Sequence, residues 1–369
     1  MRLDRAGAAL TCALLVAPSA GAEPKLVSTS KLEANCYSPR WAHDGAKFSY
    51  EWHDPKKDEK GVTIVTMEGM GREEVVPDTG PDVSGFDDKK PVVRELAWHP
   101  EGRAYVYGST GGRSQLSLYM EGEGCLTCEK VFGYGNKIHP TWSNDGKFLA
   151  YAKEANDQGD VFVADIYNLE KGPQQVTESE DDTSYQPRFH PSAAKLMFTR
   201  FNPDKSDNDM WVLDNHLDKK TVRKLTKLSG AELNASWSPD GTKVAFFANH
   251  KKKDDKKFDL YVAAADGKSA AKRLLKDVIK PDRANPVWTP DGTKLLVVKD
   301  NVKKHNPIVW VAVDDPKKTG ELPTGTELND YLALFVKDGK MNLLWTAQGK
   351  KKDKKKRWKK VYLDTVTLP

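Results

Sequence analysis

Cysteine is scarce, with four in 369 residues. The one C-x-x-C pair, Cys125-Leu126-Thr127-Cys128, has no second pair to complete a four-ligand metal site, and Glu129 stands where c-type haem attachment needs His. Apolar residues make up 38% of the chain, which argues against a large helical core, and no segment keeps a helical period over 12 residues. Charge of one sign is not in excess: 58 Lys and Arg against 53 Asp and Glu leave +5. That excludes a wholesale nucleic-acid-binding composition, though not a local basic patch. The longest apolar run lies near the N-terminus and falls short of the roughly 20 residues of a spanning helix. No G-x-S-x-G nucleophile elbow is present. Aromatic residues, by contrast, are plentiful: ten Trp, twelve Tyr and twelve Phe, against disorder.

The first residues read as an export signal. Met1 to Arg5 is a short basic start, Ala6 to Ala17 is apolar, and Ala20-Gly21-Ala22 is an A-x-A site before Glu23. The competing reading is a buried first helix. Cys12 follows Thr11 rather than a small Gly or Ala, so it is not read as a lipidation site. The expectation is a signal peptide over 1–22, cut after Ala22, a single domain over 23–369, and a periplasmic or secreted location. In an oxidising compartment Cys125 and Cys128 are expected to form a disulfide, a structural clip rather than a redox pair, with Cys36 as the odd thiol.

A repeat runs through the rest of the chain. Trp237-Ser238-Pro239-Asp240-Gly241 recurs as Trp288-Thr289-Pro290-Asp291-Gly292, Trp142-Ser143-Asn144-Asp145-Gly146, Trp41-Ala42-His43-Asp44-Gly45 and Trp98-His99-Pro100-Glu101-Gly102. Degraded copies begin at Phe189 and Phe335, and the aromatic recurs at spacings of 57, 44, 47, 48, 51 and 47 residues. That period fits a four-stranded propeller blade. In each unit a Pro/Asp-Gly turn follows the aromatic, then an apolar strand such as Val244 to Phe247, a third strand often closed by Asp, as in Val161 to Asp165, and a short fourth strand. The seventh unit supplies three strands. The segment Pro24 to Thr29 is expected to supply the fourth, closing the ring and leaving no open edge. The fold expected is all-β: a single propeller of seven four-stranded blades, six being the alternative count.

The W-S-P-D-G-type hairpins, each followed by an aliphatic strand and an Asp-ended strand, resemble the TolB-like β-propeller family. The resemblance covers nearly all of the chain after residue 22. It implies a periplasmic propeller, here expected without the N-terminal α/β domain that TolB carries. Related propellers also form lids on serine peptidases.

One position in the repeat is a candidate site. The residue three places before the aromatic is expected near the channel mouth, and reads Ser38, Glu95, His139, Gln186, Asn234, Asn285 and Leu332. Six of these are polar, and a convergent polar ring suits a small ligand. Some similar propellers are lyases of oligogalacturonides with a metal held by His and Gln. Only His139 and Gln186, with Glu95 as a third ligand, offer a comparable set, and the competing reading is that these groups bind water and neighbouring strand ends. No metal or other cofactor is expected. His43, His99 and His190 read as turn residues, and the aromatic series as packing between sheets.

Charge is uneven along the chain. The loops between second and third strands of the last three units carry Lys251, Lys252 and Lys253; Lys303 and Lys304; and Lys350, Lys351, Lys352, Lys354, Lys355, Lys356 and Arg357, with Trp358 among them. One sector of the loop face is therefore expected to be basic and to attract an envelope protein, an anionic polymer or lipid headgroups. A solvated lysine-rich surface is the competing reading. Nucleic acid is not expected as a partner, and the protein is expected to be a monomer. The function expected is an exported, non-enzymatic binding or scaffold propeller of the cell envelope. The alternative is a carbohydrate lyase or hydrolase with its site at Glu95, His139 and Gln186.

Overall fold

Each repeat folds as its turn chemistry dictates. In the turn after the aromatic, Asp240 Oδ1 accepts from Ser238 Oγ at 2.5 Å and from the Thr242 amide at 3.0 Å. Asp145 and Asp291 do the same with Ser143 and Thr289. These bonds, the Ser238 hydroxyl foremost, hold the Asp240 carboxyl down at about 2. Glycine follows the acid at positive φ in every such turn, from Gly45 at 66° to Gly102 at 77°. The chain can then reverse tightly into the second strand. An Asp closing a third strand acts as a cap: Asp165 accepts from the Tyr167 amide at 3.0 Å and starts the 3₁₀ turn Ile166–Lys171.

The computed structural model describes residues 25–26, 35–75, 92–102, 104–110, 115–120, 124–125, 132, 136–155, 158–252, 254, 256–300, 305–348 and 358–369. Seven four-stranded antiparallel sheets result. Blade 1 runs Asn35–Trp41, Lys47–Asp54, Glu59–Thr66 and Arg72–Glu74. Blades 2 to 6 repeat the plan from inner strands Val92–Trp98, Asn136–Trp142, Thr183–Phe189, Glu232–Trp237 and Val287–Trp288. Blade 7 uses Glu327–Lys337, Lys340–Gln348 and Lys360–Val366. Its outer strand is Lys25–Leu26 from the N-terminal end, with Lys25 opposite Leu363. The ring therefore closes with both ends of the chain in one sheet, and the blade count is seven. Residues 1–22, expected to be a signal peptide, and Cys128 lie outside the described residues. Cys36 is fully buried against Phe48, Tyr50 and Val361.

The Trp of each repeat packs against the preceding blade, and four of the five Trp copies add a hydrogen bond, Trp98 being the exception. The indole N–H of Trp142 donates to Ala97 O at 3.1 Å, of Trp237 to Arg188 O at 3.1 Å, of Trp288 to Ser236 O at 3.3 Å and of Trp41 to Ala333 O at 3.2 Å. The last spans the ring closure. The turn histidines strengthen the same seams. His99 Nε2 meets Gly146 O, and His190 Nε2 meets Gly241 O, each at 3.2 Å, with each ring edge-on to the next blade's Trp. Trp142→Phe keeps the packing and removes one buried hydrogen bond. It is expected to cost about 1–2 kcal/mol, read as a lower urea midpoint at unchanged slope; an unshifted midpoint would mean that the indole bond contributes nothing.

Candidate functional site

The inner strands of successive blades touch one another around the channel. In blades 1 to 4 the position picked out by the repeat is the fourth residue of a seven-residue strand: Ser38, Glu95, His139 and Gln186. Asn234 is the third residue of its strand. These side chains thus sit midway along the channel wall, deeper than its mouth. All five have left-handed backbones, with φ of 48°, 57°, 57°, 53° and 56°. At each of them the ladder to the second strand slips, as between Tyr37 and Arg40 or Arg94 and Ala97. The repeat therefore encodes a β-bulge, which re-aims one side chain per blade and frees one backbone N–H from the sheet.

Those freed N–H groups explain the polar side chains. The amide of His139 donates to Glu95 Oε2, that of Asn234 to Gln186 Oε1 at 3.1 Å, and that of Glu95 to Glu51. Each acceptor comes from the preceding blade. Gln186 Nε2 also donates to Asn234 Oδ1 at 3.0 Å, and Asn234 Nδ2 to the carbonyls of Pro281 and Ala284 at 2.8 and 2.6 Å. Glu95, Gln186 and Asn234 are thus side chains that stitch blade to blade, while Ser38 Oγ, His139 Nδ1 and Asn285 Oδ1 have no hydrogen-bond partner among the described residues. The pattern slips in the last two blades. Asn285 lies ahead of the short inner strand of blade 6, where Arg283 takes the left-handed φ. In blade 7, Leu328 and Tyr331 are left-handed and Leu332 is not.

The sequence pattern missed the charges. Arg283 reaches across to two buried acids, Nη1 to Glu95 Oε1 at 3.1 Å and Nη2 to Glu51 Oε2 at 3.3 Å. Arg40 donates to Arg283 O at 3.3 Å, and Arg188 to Pro187 O at 2.7 Å. A signal existed for two of these. The residue just before the aromatic is Ala, Thr, Ser, Val or Leu in five repeats but Arg in blades 1 and 4. Burial pushes Glu51 up, with Arg283 and Arg40 opposing. Burial also pushes Glu95 up, but His139, Arg283, the His139 amide and Arg40 outweigh it and hold Glu95 below the usual carboxylate range. Burial pushes Arg188 down to about 10.

Burial pushes His139 down to about 4, with Arg188, Arg283 and Arg40 acting in the same direction against Glu95. Its imidazole is therefore neutral at pH 7. A folded-state value below the unfolded one, about 6.5, means stability that is intact above pH 6.5 and lost as pH falls towards 4. The loss is about 2–3 kcal/mol. His139→Asn tolerates the left-handed backbone and does not titrate. Urea melts from pH 7 to 4 are expected to fall more steeply for the native chain by that amount; parallel curves would show that His139 charges without cost.

Most of the basic sector, Lys253, Lys303, Lys304, Lys350, Lys351, Lys352, Lys354, Lys355, Lys356 and Arg357, lies outside the described residues. Lys251 is exposed at the loop tip. Lys252 is turned inward between Asp259 and Asp277, at 2.6 and 2.8 Å, and so adds little to a surface patch. Cys125 ends the two-residue strand Gly124–Cys125, and its pairing with Cys128 lies outside the described residues.

Residues 104–354 match the TolB beta propeller domain model. The chain belongs to that family. Its fold is also similar to that of TolB from Acinetobacter baumannii, at 16% identity and TM-score 0.50, over 74% of this chain and 62% of that one. It is similar to an oligogalacturonate lyase from Vibrio parahaemolyticus at 12% identity and TM-score 0.58, over 93% of both chains. It also resembles prolyl oligopeptidase B from Galerina marginata at 13% identity and TM-score 0.56, over 89% of this chain and 48% of that one. The chain thus spans less than two thirds of the TolB protein and about half of the peptidase. At these identities the likeness is one of fold.

The donors here do not fit the His and Gln metal set of the lyase resemblance. Glu95 spends its oxygens on Arg283 and the His139 amide, and Gln186 faces Asn234. Among the described residues no three His, Cys, Asp or Glu side chains converge. Among the described residues, too, no helix is long and apolar enough to cross a membrane.

Proposed function

We propose that the TolB-family propeller is an exported, non-enzymatic binding protein of the bacterial cell envelope, holding a protein or anionic partner on its loop face. One observation carries this reading: Glu95, Gln186 and Asn234 on the channel wall are spent on blade-to-blade hydrogen bonds rather than aligned for acid–base work. What differs from blade to blade is the loop face, where the lysine runs of the last three blades lie in sequence. The TolB protein of similar fold belongs to the same family. The export reading of residues 1–22 places the partner outside the cytoplasm.

The test compares the native chain with a variant in which Lys350–Lys352 and Lys354–Arg357 are replaced by Glu. Captures from envelope extract and binding to anionic vesicles are measured at two salt concentrations. Loss of a specific partner in the variant, with weaker binding at high salt, is expected. An identical partner set for both proteins would remove the basic sector from the reading.

The fold likeness to an oligogalacturonate lyase over nearly the whole chain supports one second reading, a carbohydrate lyase. It predicts stoichiometric divalent metal in the purified protein, lost in His139→Ala, and unsaturated products from oligogalacturonides. A metal-free, inactive protein would dispose of it.

A further inference from the structure

One group of polar atoms stands outside the blade-to-blade bonds. Between blades 6, 7 and 1 a cavity of about 340 Å³ is lined by Ser38, Arg40, Arg283, Asn285 and Tyr331, with Trp41 and Trp288 on its apolar side. That volume is within the range of small-ligand sites. Three atoms on this wall have no hydrogen-bond partner: Ser38 Oγ, Arg40 Nε and Asn285 Oδ1. Ser38 is only 5% exposed. Buried polar atoms without a partner are uncommon in native proteins, and each calls for an explanation.

Charge points the same way. Arg40, Arg188 and Arg283 share the channel with two acids, Glu51 and Glu95, and Arg283 takes both acids as ion-pair partners. Among the described residues no carboxylate lies within ion-pair reach of Arg40 or Arg188. His139 is neutral, and so offsets nothing. On the cavity wall, then, Arg283 is matched by Glu51 and Glu95, whereas Arg40 is, among the described residues, a cation without an ion-pair partner, partly removed from water.

We propose that this cavity binds a small hydroxycarboxylate. The planar fork of Arg40, whose Nε–H is unused, matches a carboxylate, and the Ser38 hydroxyl is a further donor beside it. The unpaired Asn285 oxygen needs a donor, which a bare carboxylate lacks and a ligand hydroxyl supplies. Trp41 and Trp288 border the same cavity and supply apolar surface for the carbon skeleton. This site goes beyond the partner-binding reading and does not depend on it, since the partner is held on the loops.

The test is calorimetry on the purified full chain with malate and gluconate as probes. Controls are succinate, which lacks the hydroxyl, malamide, which lacks the charge, and inorganic phosphate. Saturable binding of malate or gluconate is expected, with succinate at least five-fold weaker than malate and no binding of malamide or phosphate at the same concentrations. Arg40→Gln is expected to weaken the better probe at least ten-fold. Asn285→Asp, nearly isosteric and so safe for folding, places a negative charge at the site and is expected to do the same. The assignment is overturned if neither probe saturates, if both variants bind as the native chain does, or if succinate or phosphate binds as well as malate.

Discussion

Arg283→Met is expected to lower stability by about 3–5 kcal/mol at pH 7, the usual consequence of leaving buried charge without its partner. The guanidinium pairs with both Glu51 and Glu95, at 3.3 and 3.1 Å, and both acids are under 10% exposed. Without it the two carboxylates face one another inside the channel with burial opposing both. The expected sign with pH follows. In the variant both folded-state values rise above the unfolded ones, so stability is present at low pH and lost as pH rises through the unfolded and then the folded values. The deficit against the native chain should thus be largest near neutral pH and shrink towards pH 4. Urea denaturation at pH 7 and pH 4.5 checks this. Adding Glu51→Gln and Glu95→Gln to the Met variant should recover more than half of the loss, because Gln still accepts the amide hydrogens of Glu95's position and of His139. A pH-independent deficit, or no recovery in the triple variant, would place the effect in packing rather than in charge.

Most of the ring could be read from the chain because a propeller is written locally. Six of the seven blades carry a φ > 0 glycine after an acid, blade 4 having Ser192-Ala193 instead, and each has an aromatic just before the turn and a short apolar strand after it, all adjacent in sequence. Even the closure was legible, since a unit with three strands leaves one edge that Lys25–Leu26 fills. The position three before the aromatic was legible as a position, with two meanings open for it, a ligand site or bonds to water and neighbouring strand ends, and Glu95 and Gln186 take the second. Polar residues in a ring suit a ligand site, whereas here the backbone slip frees the amides of Glu95, His139 and Asn234, and the side chains of Glu51, Glu95 and Gln186 accept them. A bulge leaves no mark in residue spacing other than the tolerance of Asn, Ser, His or Gln for a left-handed backbone. Arg283 was invisible for a different reason. It stands 188 residues from Glu95 and 232 from Glu51, and its repeat register is shifted relative to the other blades. Contacts across a ring depend on which blades face each other, and no local pattern encodes that.

Gly241→Ala is the second large effect expected, at about 2–4 kcal/mol. The glycine has φ of 71°, where an L side chain costs about 1–2 kcal/mol. Its new methyl would lie 2.0 Å from His190 Nε2 and 2.1 Å from Cε1, so the ring must leave. Moving it gives up the bond from His190 to Gly241 O and the edge-on contact with Trp237 at 4.8 Å, together about 1–2 kcal/mol. The seam between blades 4 and 5 then opens at its turn end. His190→Ala separates the two terms. Alone it loses the contacts, but combined with Gly241→Ala it removes the clash, so the double variant should be markedly more stable than the sum of the single effects implies. A double-mutant cycle by urea denaturation gives the coupling, expected at about 1–2 kcal/mol. Strict additivity would mean that the backbone alone accounts for the loss, and that the turn histidine does not bind one blade to the next. The same cycle at Gly146 and His99, where the methyl would lie 2.2 Å from Nε2, provides an independent repeat at the seam between blades 2 and 3.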